Sequence, residues 1–389
     1  MLADTDAGSI ITAAQSGVQW KYSLVLPQLL LIPFLYVIQE MTVRLGIVTG
    51  KGHGELIRIH FGNGWAWLSA LTLIVSVVGA LVTEYAALSG VAQMLGISPW
   101  FVVPSAMLIL MGIFLSGSYV RVEKIALVVG LFEVFFILAA FLMKPDLGSM
   151  GRGLIHQPLG NPDYRFLLAA NVGAVIMPWM IFYQQGAVVE KKLSKKALQS
   201  ARWDTALGAV LTQVIMIAVV ITAAAVARPE TQAPSISSAG DLIRALSPVL
   251  GSWGALLVIG FGMLGAGLIA AIVVSAAGAW GLGEAFGLKS SFSSKLKDAK
   301  AFYGVFVVVN LVAGAVVLSG VNLTEITVDV EVMNALLLPL VLGFLLLIER
   351  KALPKEYRMK GFWRFSTWVL TLVVISFGLY MAWDVFHHL

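Results

Sequence analysis

Apolar runs long enough to cross a bilayer recur along the whole chain. They cover about residues 24–43, 64–95, 98–117, 125–143, 165–188, 203–227, 252–284, 302–320, 327–348 and 363–384. A helix needs about 20 apolar residues to cross a hydrocarbon core of about 30 Å. In lipid each backbone N–H and C=O must be satisfied internally, so such runs fold as helices packed on one another. Short alternating segments, the mark of an outer-membrane barrel, are not what these runs look like. A chain of 389 residues that is 59% hydrophobic agrees with this reading, as does its mean hydropathy of +0.90. The expectation is an all-α integral membrane protein, a single transmembrane domain over 1–389. The 38 glycines suit close helix packing in lipid. Cysteine is absent, which excludes disulfides and thiolate metal sites.

Lys and Arg set the orientation. Of 26 such residues, all but Lys21, Lys144, Arg152, Arg165, Arg228 and Arg244 fall in alternate connections, beginning with the one after span 24–43. By the positive-inside rule those connections are cytoplasmic, including Lys191–Arg202, and the C-terminus lies outside. The net charge of +5 therefore reflects loop charge that orients the chain, not a nucleic-acid surface.

Two places break the rules for membrane helices. Asp4-Thr5-Asp6-Ala7-Gly8-Ser9 leads into a weakly polar, incomplete span over about 5–18, and Met177-Pro178 interrupts the run 165–188. A carboxylate in the hydrocarbon core costs at least about 2.5–3.5 kcal/mol, so it marks function by default. A mid-span proline frees a carbonyl, here near Ala174, which is tolerated only where protein or a cavity satisfies it. Taken singly, Asp4 and Asp6 also fit a water-exposed helix cap, and Met177-Pro178 also fits a kink in a packing helix. Together they suggest two discontinuous helices cradling a cation. Five spans separate the breaks, the period of an inverted five-plus-five repeat.

Gly173-Ala174-Val175-Ile176-Met177-Pro178-Trp179 resembles the Ala-x-x-Met-Pro-His signature of the Nramp divalent metal transporters. Asp6-Ala7-Gly8-Ser9 is similar to that family's Asp-Pro-Gly-Asn, and the stretches Arg44 to Lys51 and Gly262 to Gly267 also resemble family sequence. The resemblance runs from residue 1 to about 350. It implies a leucine-transporter-like fold: a first repeat of about 1–143, a second of about 164–348, helices one and six broken, and an eleventh helix at about 363–384. It also implies metal ligands: the side chains of Asp6, Ser9 and Met177, and backbone carbonyls of Ala174 and Ala3. A thioether beside a carboxylate favours transition metals over Ca²⁺, which takes all-oxygen shells.

The departures shape the expected chemistry. Trp179 stands where the family has His, and Gln184 stands for a second family His. The histidines of this chain (His53, His60, His156, His387 and His388) read as loop or tail residues. Span 302–320 lacks the family's arginine pair. Glu84 matches an acid of the third span, but the second acid is Ala87. These losses put proton coupling in doubt. Extra acids appear instead: Asp4 beside Asp6, and Asp329 and Glu331 near the start of span 327–348. More carboxylates shift preference towards harder ions.

The resulting expectation is a secondary transporter that moves a divalent metal ion inward by alternating access, with Mn²⁺ favoured and Mg²⁺ a close second. The metal is substrate, no cofactor is expected, and the bilayer is the other partner. The setting is a bacterial or archaeal plasma membrane. No nucleophile–base pair or soluble domain suggests an enzyme. The alternative is an amino-acid transporter of the same fold. Family members carry a half-helix ahead of the acid, so Met1 reads as the start of a shortened form or as lying downstream of the native start. Without that half-helix, a chain beginning at Met1 is expected to leave an inward-open cavity reaching Asp6, and a longer native form to restore outward-facing states.

Overall fold

A computed structural model of the chain describes residues 4–388 except 116–123, 125–127, 129–132, 144, 227–237, 293, 321 and 322. Ala3, one of the expected carbonyl ligands, lies outside the described residues. Among those described there is helix and no strand.

The chain enters the bundle at α1 (Ala7–Trp20), only 14 residues long. Lys21, at φ 52°, ends it, and α2 (Val25–Thr49) turns back alongside. Gly50, at φ 65°, closes α2 by donating its N–H to the Gly46 carbonyl at 2.9 Å. A short surface helix, α3 (His53–Phe61), precedes the long span α4 (Asn63–Met94). Then come α5 (Pro99–Leu115), α6 (Val134–Leu142) and α7 (Leu147–Ile155).

The sixth expected span is two helices. α8 (Pro162–Val175) starts at an Asn161 cap with Pro162 in its first turn. It stops because Pro178 has no N–H to continue the ladder, and Ile176 and Met177 turn extended (φ −119°, ψ 88° and φ −95°, ψ 139°). α9 (Pro178–Glu190) resumes at that proline. There follow α10 (Leu198–Val226), α11 (Ala239–Ala255), α12 (Phe261–Phe286), α13 (Lys300–Leu318), α14 (Leu323–Ala352) and α15 (Gly361–His388).

Among the described residues eight helical stretches are long and apolar enough to span a membrane. They coincide with the expected runs except 98–117 and 125–143, which appear as the 17-residue α5 and the 9-residue α6. Much of the segment between those two lies outside the described residues. Three helices were not expected: α3, α7, and α11, which passes through Gly251 (φ 72°) and a π turn at Leu256–Gly260 into α12. Leu71, Leu108, Phe141 and Leu207 are more than 60% exposed, which suits a lipid-facing surface. The chain is a multi-pass integral membrane protein. Its packing depends on small residues. A Cβ on Gly173 of α8 would lie 1.8 Å from the Glu331 carbonyl of α14, so these helices meet backbone to backbone.

Candidate metal site

The start of α1 is buried in the middle of the bundle, and nearly every residue of its first turn meets a polar group. Asp6 is the N-cap: its Oδ1 accepts from the Ser9 N–H at 2.7 Å. The Thr5 hydroxyl donates to Glu133 Oε2. The Ala7 N–H donates to Glu84 Oε2, from α4, at 3.3 Å. Glu331, from α14, packs on Gly8 so closely that a Cβ there would lie 2.4 Å from Oε1. Asn334 Nδ2 donates to Glu331 Oε2 at 3.1 Å, and Asn334 is held in turn by the Ser76 hydroxyl of α4 at 2.7 Å. The helix N-terminus, with its orphan N–H groups, explains why anions gather there.

Four of these acids have no exposure: Asp6, Glu84, Glu133 and Glu331; Asp4 retains 6%. Each of the five keeps one carboxylate oxygen with no partner: Asp4 Oδ2, Asp6 Oδ2, Glu84 Oε1, Glu133 Oε1 and Glu331 Oε1. No ion pair to Lys or Arg reaches them among the described residues. A buried carboxylate without a counter-charge is strongly unfavourable, so this region calls for protons or a cation. Among the described residues no three His, Asp or Glu side chains are arranged to hold a metal by themselves. The polar groups at these two places are carboxylate, hydroxyl and carbonyl oxygens, with the Met177 thioether at the second.

At the second break, Met177 and Ala174 are fully buried. The freed Ala174 carbonyl accepts the Ser9 hydroxyl at 2.8 Å, which joins the two breaks directly. The expected inward-open cavity is not what the structure has: Asp6, Ser9, Ala174 and Met177 are all closed to solvent.

Other expected residues divide. Trp179 is buried, its indole N–H without a partner. Gln184 is half-buried, whereas its neighbour Gln185 is buried and donates to the Lys51 carbonyl at 2.9 Å. Gln185 Oε1 also lies 3.1 Å from His53 Nδ1. His53 corrects the reading of the histidines as loop or tail residues: it opens α3 and is fully buried. Burial pushes its imidazole down to about 4, opposed by the bond to Gln185. Asp329 is exposed while Glu331 is buried, because residues two apart on a helix point about 200° apart. Glu133 and Thr5 are additions to the expected set. Glu133 is a carboxylate inside the apolar run 125–143, the same signal that marks Asp6. The charge-free span 302–320 carries a buried polar group after all: Tyr85 donates to Asn310 Oδ1, and Asn310 Nδ2 donates to the Ser275 hydroxyl at 2.9 Å.

An all-helical membrane bundle in which a short helix starts among buried acids, hydrogen-bonded to the break of a second, interrupted helix, has the architecture of a secondary transporter. The protein is a transporter and not an enzyme. Residues 1–384 match the model of the Nramp family (natural resistance-associated macrophage protein-like), and the chain belongs to that family. Its relatives include proteins named divalent metal cation transporter MntH. That of Klebsiella pneumoniae is 26% identical over 282 residues, 70% of this chain and 67% of that protein. That of Yersinia enterocolitica is 27% identical over 291 residues, 70% of this chain and 68% of that protein. Among solved structures, the Eremococcus coleocola manganese transporter aligns with TM-score 0.77 at 16% identity, covering 97% of this chain and 83% of that one. MhsT in complex with L-phenylalanine aligns with TM-score 0.65 at 17% identity, covering 96% and 97%. These likenesses establish the leucine-transporter-like fold.

Proposed function

We propose that the chain carries a divalent metal ion into the cytoplasm by alternating access, Mn²⁺ favoured and Mg²⁺ close behind. The observation that carries this reading is Asp6: one oxygen caps α1, the other is buried without a partner, and the Ser9–Ala174 contact between the broken helices lies one turn away. Asp6, Ser9 and Met177 would bind through side chains, and Ala174 and Ala3 through carbonyls in different transport states. The surrounding acids, Asp4, Glu84, Glu133 and Glu331, add negative potential that favours a hard dication. The names of the MntH relatives and of the Eremococcus coleocola protein support a divalent metal, manganese in the latter case. The two repeats, about 1–143 and 164–348 with an extra helix at 363–384, supply the moving halves, and the C-terminus lies outside.

The likeness to MhsT keeps the amino-acid alternative in view. In that mode a substrate carboxylate sits at the exposed N-terminus of a half-helix. Here that position is ringed by buried acids, which would repel it. Missing family histidines and arginines favour weak or absent proton co-transport.

Proteoliposomes loaded with metal-sensitive and pH-sensitive dyes test the reading in one assay. Uptake of Mn²⁺ and Mg²⁺ with little acidification, and none of L-phenylalanine, is expected. L-Phenylalanine uptake without metal uptake would replace the reading, and stoichiometric acidification would restore proton coupling.

A further inference from the structure

Where α14 ends and α15 begins, three arginines converge on a pocket of about 540 Å³. Arg350 comes from the last turn of α14, Arg358 from the connecting turn and Arg364 from the first turn of α15. Gly361, at φ 55°, reverses the chain between the last two. Arg358 is fixed in place, its Nε donating to the Leu353 carbonyl at 2.7 Å. Among the described residues none of the three pairs with a carboxylate. The one acid in the wall, Glu349, is buried and already engaged: its Oε1 accepts from Arg44 Nη1 at 3.4 Å and from the Met359 N–H at 2.8 Å. The pocket therefore gathers positive charge that the protein leaves uncompensated.

Beside Met359 and Gly361, the rest of the wall is aromatic. Phe365 is 65% exposed and Trp368 half-buried, with Phe362 and Trp363 exposed just before them. Arginine beside Trp and Phe at the end of an apolar span is the chemistry of the membrane–water interface. Among the described spans α15 is the least enclosed, only 28% buried over its most apolar stretch, so lipid can reach the pocket from the side.

We propose that this pocket binds the phosphodiester headgroup of an anionic phospholipid, on the face of the bundle that carries the Lys191–Arg202 connection. Guanidinium forks pair with phosphate oxygens bidentately, and basic pockets between membrane helices suit such headgroups. The acyl chains would lie along α15, past Phe365. Because Glu349 also holds Arg44, a bound headgroup sits one residue from the contact that fastens α14 to α2.

Binding is read by native mass spectrometry of the full chain in detergent, with dioleoyl phosphatidylglycerol, dioleoyl phosphatidylcholine and inorganic phosphate as probes. The wild type should hold phosphatidylglycerol at least about tenfold more tightly than phosphatidylcholine. The Arg350→Gln/Arg364→Gln variant, which spares Arg358 and its bond to Leu353, should lose about 25-fold, at about fivefold for each arginine. Arg152→Gln/Arg244→Gln, on the opposite face, should change nothing. Should the first variant not fold, Arg350→Lys/Arg364→Lys keeps the charge without the fork and is expected to bind phosphatidylglycerol more weakly than wild type. Equal binding of the two lipids, or unchanged binding in the arginine variants, overturns the proposal. Displacement of phosphatidylglycerol by millimolar inorganic phosphate overturns its lipid part and makes the pocket a site for a free anion.

Discussion

The Ser9 hydroxyl donates to the Ala174 carbonyl at 2.8 Å across 165 residues of sequence, and this bond ties the start of α1 to the break between α8 and α9. Each partner is a proposed metal ligand, so the pair must open or share its oxygens when metal enters. Ser9→Ala should weaken Mn²⁺ binding about tenfold, the loss of one ligand. It should also lower stability by about 1 kcal/mol, the net worth of a hydrogen bond. Ser9→Asn, which restores the family's residue, should retain binding. Isothermal titration in detergent measures the affinities, and thermal unfolding the stability. A Ser9→Ala protein that binds like wild type would make the hydroxyl a packing contact only.

Asp6 has two roles that substitution can separate. Asn caps helices about as well as Asp but carries no charge. Asp6→Asn should keep a folded protein with nearly unchanged melting temperature and lose more than about 100-fold in affinity for every divalent ion. If the Asn variant binds metal normally, the carboxylate is a cap and nothing more.

Met177 tests selectivity. A thioether is a soft ligand, so Met177→Ala should weaken Cd²⁺ far more than Mn²⁺ or Mg²⁺. Competition uptake with radioactive Mn²⁺ gives the ratios. Equal losses for all three ions would reduce Met177 to core packing, where its full burial is sufficient reason for it.

His53 predicts a pH effect on stability. Its imidazole titrates at about 4 in the fold against 6.5 unperturbed, mainly because it is buried. Between those values the unfolded chain holds a proton that the folded chain does not, so stability falls as pH drops from 6.5 towards 4. The full effect is about 3 kcal/mol at most. His53→Gln should flatten that part of the profile relative to wild type, measured as melting temperature at pH 7 and pH 5. Parallel profiles for the two proteins would show that His53 is not the group responsible.

How much of this was readable beforehand depends on how local each feature is. Pro178 lacks an N–H wherever it sits, so the break before α9 could be placed from sequence. The cap at Asp6 is equally local, its bond reaching only to Ser9. Glu133 carried the same warning as Asp6, an acid in an apolar run, but its partner Thr5 lies 128 residues away and only the packed bundle joins them. His53 reads as a loop residue because its sequence neighbours are polar and glycine-rich. Its burial comes from Phe182 and Gln185 of α9, and rings 4.8 Å apart leave no room for water. Asp329 and Glu331 could not be told apart by hydropathy. The close approach of α8 at Gly173 decides which of them faces inward.

The central claim is that a divalent ion binds where the two breaks meet. Crystals soaked in Mn²⁺ and measured for anomalous scattering test it directly. The expected result is a single strong peak within coordination distance of Asp6 and Met177, about 2–2.6 Å from oxygen ligands, that disappears in Asp6→Ala crystals. A saturating soak that leaves this position empty while Mn²⁺ scatters elsewhere in the bundle would contradict it.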